Sequence, residues 1–183
     1  MARIENFLTL YVDPGETTGW ALAKGTNLMG SEQTPMWDFA DAVWTALTEG
    51  LENSYLGDPG FLRSEDAEHL LHECEIGRVV CEDFRLYPHV MRTGALDWNP
   101  VRTARLIGAL TFMCRLHDIP FILQPAAIKP DAEAAGAKEL YVSPVYENRH
   151  QNDAIQHFVY YINTEILGIK LRPTAEERRE ATA

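Results

Sequence analysis

Past residue 76 the sequence alternates short apolar runs with long helical patterns, and that alternation leaves few architectures open. "GRVVCEDF" (77–84) reads as a short buried strand ending in acid. "NPVRTARLIGALTFMCRLHD" (99–118) reads as a helix: Asn99 caps it and Pro100 takes the first turn. Ala104, Ile107, Leu110, Thr111 and Cys114 fall on one stripe. "IPFILQP" (119–125) is a second buried strand, and "NRHQNDAIQHFVYYINTEI" (148–166) is the last helix. Strands joined by a helix of this length pair in parallel through a crossover.

The first third of the chain reads differently. Residues 6–12, 19–24 and 27–34 suggest three short strands, with turns at Pro14-Gly15 and Gly25-Thr26. Pro35 opens a helix in which Trp37, Ala40, Val43, Trp44 and Leu47 recur at helical spacing and are expected in the core. "SEDAEHLLHECEI" predicts another helix, capped by Ser64, with Ala67, Leu70, Leu71 and Cys74 inward. The expectation is one α/β domain over 1–172. Its mixed central sheet has an antiparallel first three strands and helical crossovers after them. The tail 173–183 is charged, lacks apolar periodicity and is expected to be disordered.

Charge narrows the partners. The net charge of −11 argues against a generic polyanion binder, whose affinity rests on Lys and Arg contacts to phosphate. It leaves room for an enzyme whose carboxylates bind cations beside a small basic strip. Three scattered cysteines, Cys74, Cys81 and Cys114, make no disulfide framework. No apolar run approaches the roughly 20 residues of a membrane span. With no basic-then-apolar leader pattern either, the expected setting is cytoplasmic.

The carboxylates hold the chemical signal. In "FLTLYVDPGETTGWAL" an apolar run ends on Asp13, a Pro-Gly break follows, and the chain turns apolar again. That is hairpin chemistry; it also sets an acid at a strand end. Glu82 stands in the same position after "RVVC". Strand carboxyl ends are where open α/β sheets place their sites. Two carboxylates brought close there repel unless a cation lies between them. Near the start of the last helix, His150, Asp153 and His157 share one face, beside apolar Ala154, Ile155, Phe158, Val159 and Ile162. Asp13, Glu82, His150 and Asp153 form an oxygen-rich set with one imidazole, suited to Mg²⁺ or Mn²⁺ rather than zinc. Two such ions about 4 Å apart clamp the attacking and leaving oxygens of a phosphodiester. A zinc site on "HLLHEC" (His69, His72, Cys74) lacks a fourth ligand at close spacing.

Taken together, "VDPGETTGWAL", "VVCEDF", "NPVRTARLIGAL", "PFILQPAAIK" and "HQNDAIQHF" resemble, in order and approximate spacing, the RuvC family of Holliday-junction resolvases. The resemblance spans about residues 6–165, falls within the RNase H-like (retroviral-integrase) superfamily, and is nearest to compact phage-encoded versions. It implies a single RNase H-like domain that cuts branched DNA as a Mg²⁺-dependent homodimer, with Mn²⁺ able to substitute and the "NPVRTARLIGAL" helix at the dimer surface. A phage origin would put it in the host cytoplasm. Asp13, Glu82, His150 and Asp153 match the family's catalytic metal ligands, and Lys129 matches its DNA-contacting lysine. Phe84 and Tyr87 bracket the place of an aromatic that stacks on DNA. Arg85 and Arg149 are further DNA-binding candidates, followed by Arg92, Arg102, Arg105 and Lys138. The acidic balance and an apparent insertion from Gly50 to Asp66 depart from the family pattern.

Two other readings stay open on the residues. Asp13-Pro14-Gly15 with Thr17 and Thr18 also resembles the first phosphate loop of actin-like ATPases and sugar kinases, of which this chain would be a fragment. A non-catalytic RNase H-like interaction module is the second.

Overall fold

The computed structural model describes residues 7–57, 74–84, 99–141 and 149–171. One five-stranded sheet organises them, in the order β3-β2-β1-β4-β5. β1 (Leu8–Asp13), β2 (Thr17–Lys24) and β3 (Asn27–Pro35) form an antiparallel meander. β4 (Ile76–Asp83) then adds in parallel beside β1, and β5 (Phe121–Pro125) in parallel beside β4. The expected mixed sheet is therefore the observed one.

Alternation along each strand sorts side chains to two cores. Leu8, Leu10, Val12, Trp20, Leu22, Val79 and Cys81 face α1 (Met36–Thr48) and α2 (Asn99–Leu116). Tyr11, Ala21, Ala23 and Val80 face α4 (Arg149–Tyr161) and the short α3 (Lys129–Ala134). Tyr11 meets Phe158 edge-on, with ring centroids 5.4 Å apart. Asp13, two residues past Tyr11, shares the α4 side.

On that side β2 carries only small residues at 19, 21 and 23, so α4 lies directly on the sheet. A Cβ on Gly19 would stand 1.8 Å from the carbonyl oxygen of His150. Gln151 pins the same end of the helix to β3, donating from Nε2 to the Ser31 carbonyl at 2.6 Å and to its hydroxyl at 3.0 Å.

Three expectations are corrected. Trp37 and Trp44 are 55% and 44% exposed; of the expected positions Ala40 and Val43 are buried, joined by Met36, Phe39, Ala42 and Ala46. The strong apolar anchor is Phe39, which turns the tryptophans outward, and Trp44 packs edge-on against His117. On α2 the buried stripe is Thr103, Leu106, Leu110 and Cys114, while Ala104 and Thr111 are exposed. β5 is an edge strand, so it is half-buried: Leu123 is exposed, and of its residues Gln124 alone is buried. Of the helix expected on 64–76, residues 64–73 lie outside the described residues, with His69 and His72 among them, as does the tail; Ile76, its expected last residue, opens β4. No helix among the described residues is long and apolar enough to cross a membrane.

Candidate metal centre

The sheet register sets the site. Val12 pairs with Cys81, which puts Asp13 beside Glu82, and Glu82 pairs with Gln124. Asp13, Glu82 and Gln124 thus form a row across the ends of β1, β4 and β5 on the α4 face. Above them α4 presents His150, Asp153 and His157, three and four residues apart on one face. The helix could not sit close enough to close the site over any side chain at position 19.

At the centre lies an ammonium. Lys129 Nζ is 3.3 Å from Asp13 Oδ1, 2.8 Å from Glu82 Oε2 and 2.7 Å from Asp153 Oδ2. It arrives there because β5 ends at Pro125 and a 3₁₀ turn, Ala126–Ile128, leads straight into α3 with Lys129 first. On one flank His150 Nδ1 is 2.6 Å from Asp13 Oδ2. On the other His157, fully buried, has Nε2 3.1 Å from Glu82 Oε2 and Nδ1 2.9 Å from Gln124 Oε1.

The ionisation of these groups follows from their surroundings. Burial raises the Asp13 carboxyl above its ordinary value, against the opposing pull of His150 and Lys129; repulsion from Glu82 and Asp153 adds to the rise. Burial also acts to raise Glu82, but the His157 hydrogen bond and the Lys129 charge outweigh it and hold the group at about 2. Lys129 is desolvated, yet Asp13, Glu82 and the bond to Asp153 keep it charged beyond the usual lysine range. The bond to Asp13 raises His150 against its partial burial.

Three carboxylates therefore share one lysine charge, and the most buried of them is pushed toward its neutral form. Additional positive charge would relieve that strain, so the donor set fits divalent cations that favour oxygen ligands. Asp13, Glu82 and His157 each offer a donor atom, and these lie within 4.8 Å of one another.

Of the residues singled out from sequence, Asp13, Glu82, His150, Asp153 and Lys129 come together. Phe84 is half-buried directly after β4, and Arg149 is exposed at the first position of α4. Arg85, Tyr87 and Arg92 lie outside the described residues. Arg102 pairs with Glu16 and Lys138 with Glu133. Sequence reasoning assigned no role to His157 or Gln124. The signal for His157 was its place one turn beyond Asp153 on the same face; Gln124 carried none except as a polar residue inside an apolar strand.

No family model matches the sequence, and no curated protein does. Among solved structures, the chain is similar to one described as T. thermophilus RuvC in complex with Holliday junction substrate. The TM-score is 0.53 at 13% identity, over 88% of this chain and 96% of that one. A second Thermus thermophilus RuvC structure aligns with a TM-score of 0.46 at 14% identity, over 88% and 97% of the two chains. At this identity the first likeness speaks to architecture, and with the mixed five-stranded sheet it establishes an RNase H-like fold for this chain.

Proposed function

We propose that the protein is a divalent-metal-dependent endonuclease that cuts phosphodiesters in branched DNA, in the manner of a compact, phage-type Holliday-junction resolvase. The observation that carries this reading is the gathering of Asp13, Glu82 and Asp153 around a single ammonium at the carboxyl ends of parallel strands. The RuvC-like sequence motifs and the similarity in fold to a RuvC bound to junction DNA support it.

Asp13, Glu82 and Asp153 would hold Mg²⁺, or Mn²⁺ in its place, with His150 beside them. The chemistry these ions would supply there is activation of an attacking water and stabilisation of charge on the phosphate oxygens. The chain's own groups do the rest. His150, bonded to Asp13 and partly open to solvent, orients that carboxylate and lies where a proton must pass. Lys129, held among the three carboxylates, would be the residue that meets a backbone phosphate, as the family resemblance implies. Arg149, exposed one residue before His150, extends that basic strip; Phe84, Arg85 and Tyr87 follow the β4 carboxylate, where an aromatic would stack on a splayed base. A symmetric junction needs two cuts, so the working form in this reading is a homodimer, built on the α2 side and acting in the cytoplasm.

The test is cleavage of a panel: four-way junction, flap, fork, duplex and single strand, each with Mg²⁺, with Mn²⁺ and with EDTA. The reading expects metal-dependent cutting strongest on the four-way junction and absent in Asp13→Asn. Failure to cut any branched substrate with either metal would sink it.

A further inference from the structure

The site as assigned so far leaves one fully buried group unused. His157 is 0% exposed, flanked on α4 by the buried Ala154, Ile155, Phe158 and Val159. A polar ring is buried at a cost unless both nitrogens find partners. Both do, and both partners lie in the row of strand ends: Glu82 at 3.1 Å from Nε2, and Gln124 at 2.9 Å from Nδ1. Glu82 and Gln124 are themselves register partners across β4 and β5. The ring therefore bridges two neighbouring strands from above.

The proton count decides what the bridge does. A carboxylate has no proton to give, so the Glu82 contact is a hydrogen bond only if Nε2 carries the hydrogen. Nδ1 lies 2.9 Å from Gln124 Oε1: a proton there donates to the amide oxygen, and a bare Nδ1 would accept from the amide turned over, so Gln124 anchors this nitrogen in either state. Gln124 is 5% exposed and cannot trade that partner for bulk water. An imidazole protonated at Nε2 has no lone pair there for a metal.

We propose that His157 is a positioning residue: it donates Nε2–H to Glu82, with Gln124 anchoring Nδ1, and so holds the Glu82 carboxylate toward Asp13 and Asp153 for metal binding. The assignment rests on the metal-dependent reading above and separates His157 from His150 in kind. His150 is 40% exposed and pairs with Asp13 at the open side of the site, whereas His157 works from behind it.

The tautomer is measurable without DNA or activity. Full-length protein with ¹⁵N-labelled histidine, metal-free, gives two-bond ¹H–¹⁵N correlations that tell a protonated from a bare ring nitrogen. A proton on His157 Nε2 that persists when Mg²⁺ is added is the expected result. A bare Nε2, before or after Mg²⁺, would overturn the proposal, because it would make the ring a ligand or a spectator.

Variants give a second readout, Mg²⁺ affinity by calorimetry. His157→Leu keeps bulk and loses the donor; its affinity should fall about 10–100-fold, the usual cost of removing a partner that orients a metal ligand. His157→Gln keeps an N–H at the place of Nε2 and should recover most of that loss. Equal Mg²⁺ affinity in wild type and His157→Leu would overturn the proposal, as would a better-binding Leu than Gln variant. If His157→Leu does not fold, the tautomer and the Gln variant still decide. Wild type that meets these expectations yet cuts no DNA would leave the positioning role standing and remove the nuclease reading; wild type that binds no Mg²⁺ would remove both.

Discussion

Gly19 stands opposite Asp13 in the β1–β2 ladder, and the backbone of His150 occupies the space where a side chain at position 19 would go. The residue that lets α4 settle on the sheet is thus the cross-strand neighbour of the acid that α4 completes. Site geometry and helix packing are one constraint at this point.

Gly19→Ala should therefore damage both together. A methyl 1.8 Å from a carbonyl oxygen forces the helix end off the sheet, and the Gln151–Ser31 bonds resist that motion. Overpacking of this kind costs about 1–3 kcal/mol. Chemical denaturation should show that loss, and Mg²⁺ affinity should fall with it. A variant of unchanged stability and unchanged Mg²⁺ binding would show that the helix end yields freely.

Lys129→Met should leave three carboxylates facing one another without their shared charge. The metal-free protein should lose about 3 kcal/mol, the low end of the range for stripping one partner from a buried ion pair, because the lysine is a quarter exposed. Mg²⁺ should raise the melting temperature of the variant more than that of the wild type, since the ion then supplies the only compensation at the centre. In DNA binding, the slope of log affinity against log salt should flatten by about one phosphate contact. An unchanged slope would restrict Lys129 to balancing the carboxylates.

Acid should act on Glu82 and Asp13 in opposite directions. The Glu82 carboxyl sits at about 2 in the folded protein against an ordinary 4.5. Its contribution to stability is full above pH 4.5 and is lost as pH falls from there through about 2. A shift of that size corresponds to at most about 3 kcal/mol. Burial raises Asp13, so its charge costs stability, and protonation in acid recovers that cost. Urea midpoints of wild type and Glu82→Gln, compared from pH 6 to pH 2, should accordingly converge toward the acid end. A gap that stays constant across this range would show that Glu82 gains nothing from His157 and Lys129 in its charged form.

The parts of this site that were legible in the sequence are those placed by a local rule. Asp13 and Glu82 each terminate an apolar run, and Asp153 lies one turn into a helix whose other face is apolar. The strand–helix alternation puts all three at one edge. Lys129 could be tied to the site by the family resemblance and by its place just after a strand beside it, but not to the centre of the carboxylates. Its arrival among the carboxylates depends on β5 ending at Pro125 and on a 3₁₀ turn too short to read from periodicity. Gln124 was hidden because an edge strand and a central strand share the same apolar composition; its burial comes from α4 above it, a long-range fact. Trp37 and Trp44 misled for a related reason. Helical spacing marks a stripe, but the buried one is turned so that Phe39 joins Ala40 and Val43 in the core and the tryptophans fall outside it, and only the packed partners set that angle.

His150 and Asp153 should separate in their response to substitution. Asp153 accepts from Lys129 at 2.7 Å and is a hard oxygen donor at the centre of the cluster. Asp153→Asn removes charge from the metal site and none from a phosphate-facing surface. It should abolish cleavage while leaving DNA affinity within about threefold, because phosphate contacts set that affinity. His150 lies at the rim, 40% exposed, with Asp13 as its partner. His150→Asp puts a carboxylate beside Asp13 where a donor stood, so Asp13 loses its hydrogen bond unless a cation lies between the two. Mg²⁺ should therefore bind this variant at least as tightly as the wild type, while its metal-free stability falls. Its cleavage rate then reads the role of the ring. Retained activity makes His150 a replaceable ligand. A dead variant that still binds Mg²⁺ and junction DNA assigns proton transfer to the imidazole, since a carboxyl group with an ordinary value near 4 carries little proton at neutral pH. An active Asp153→Asn protein, with either Mg²⁺ or Mn²⁺, would remove that residue from the catalytic set.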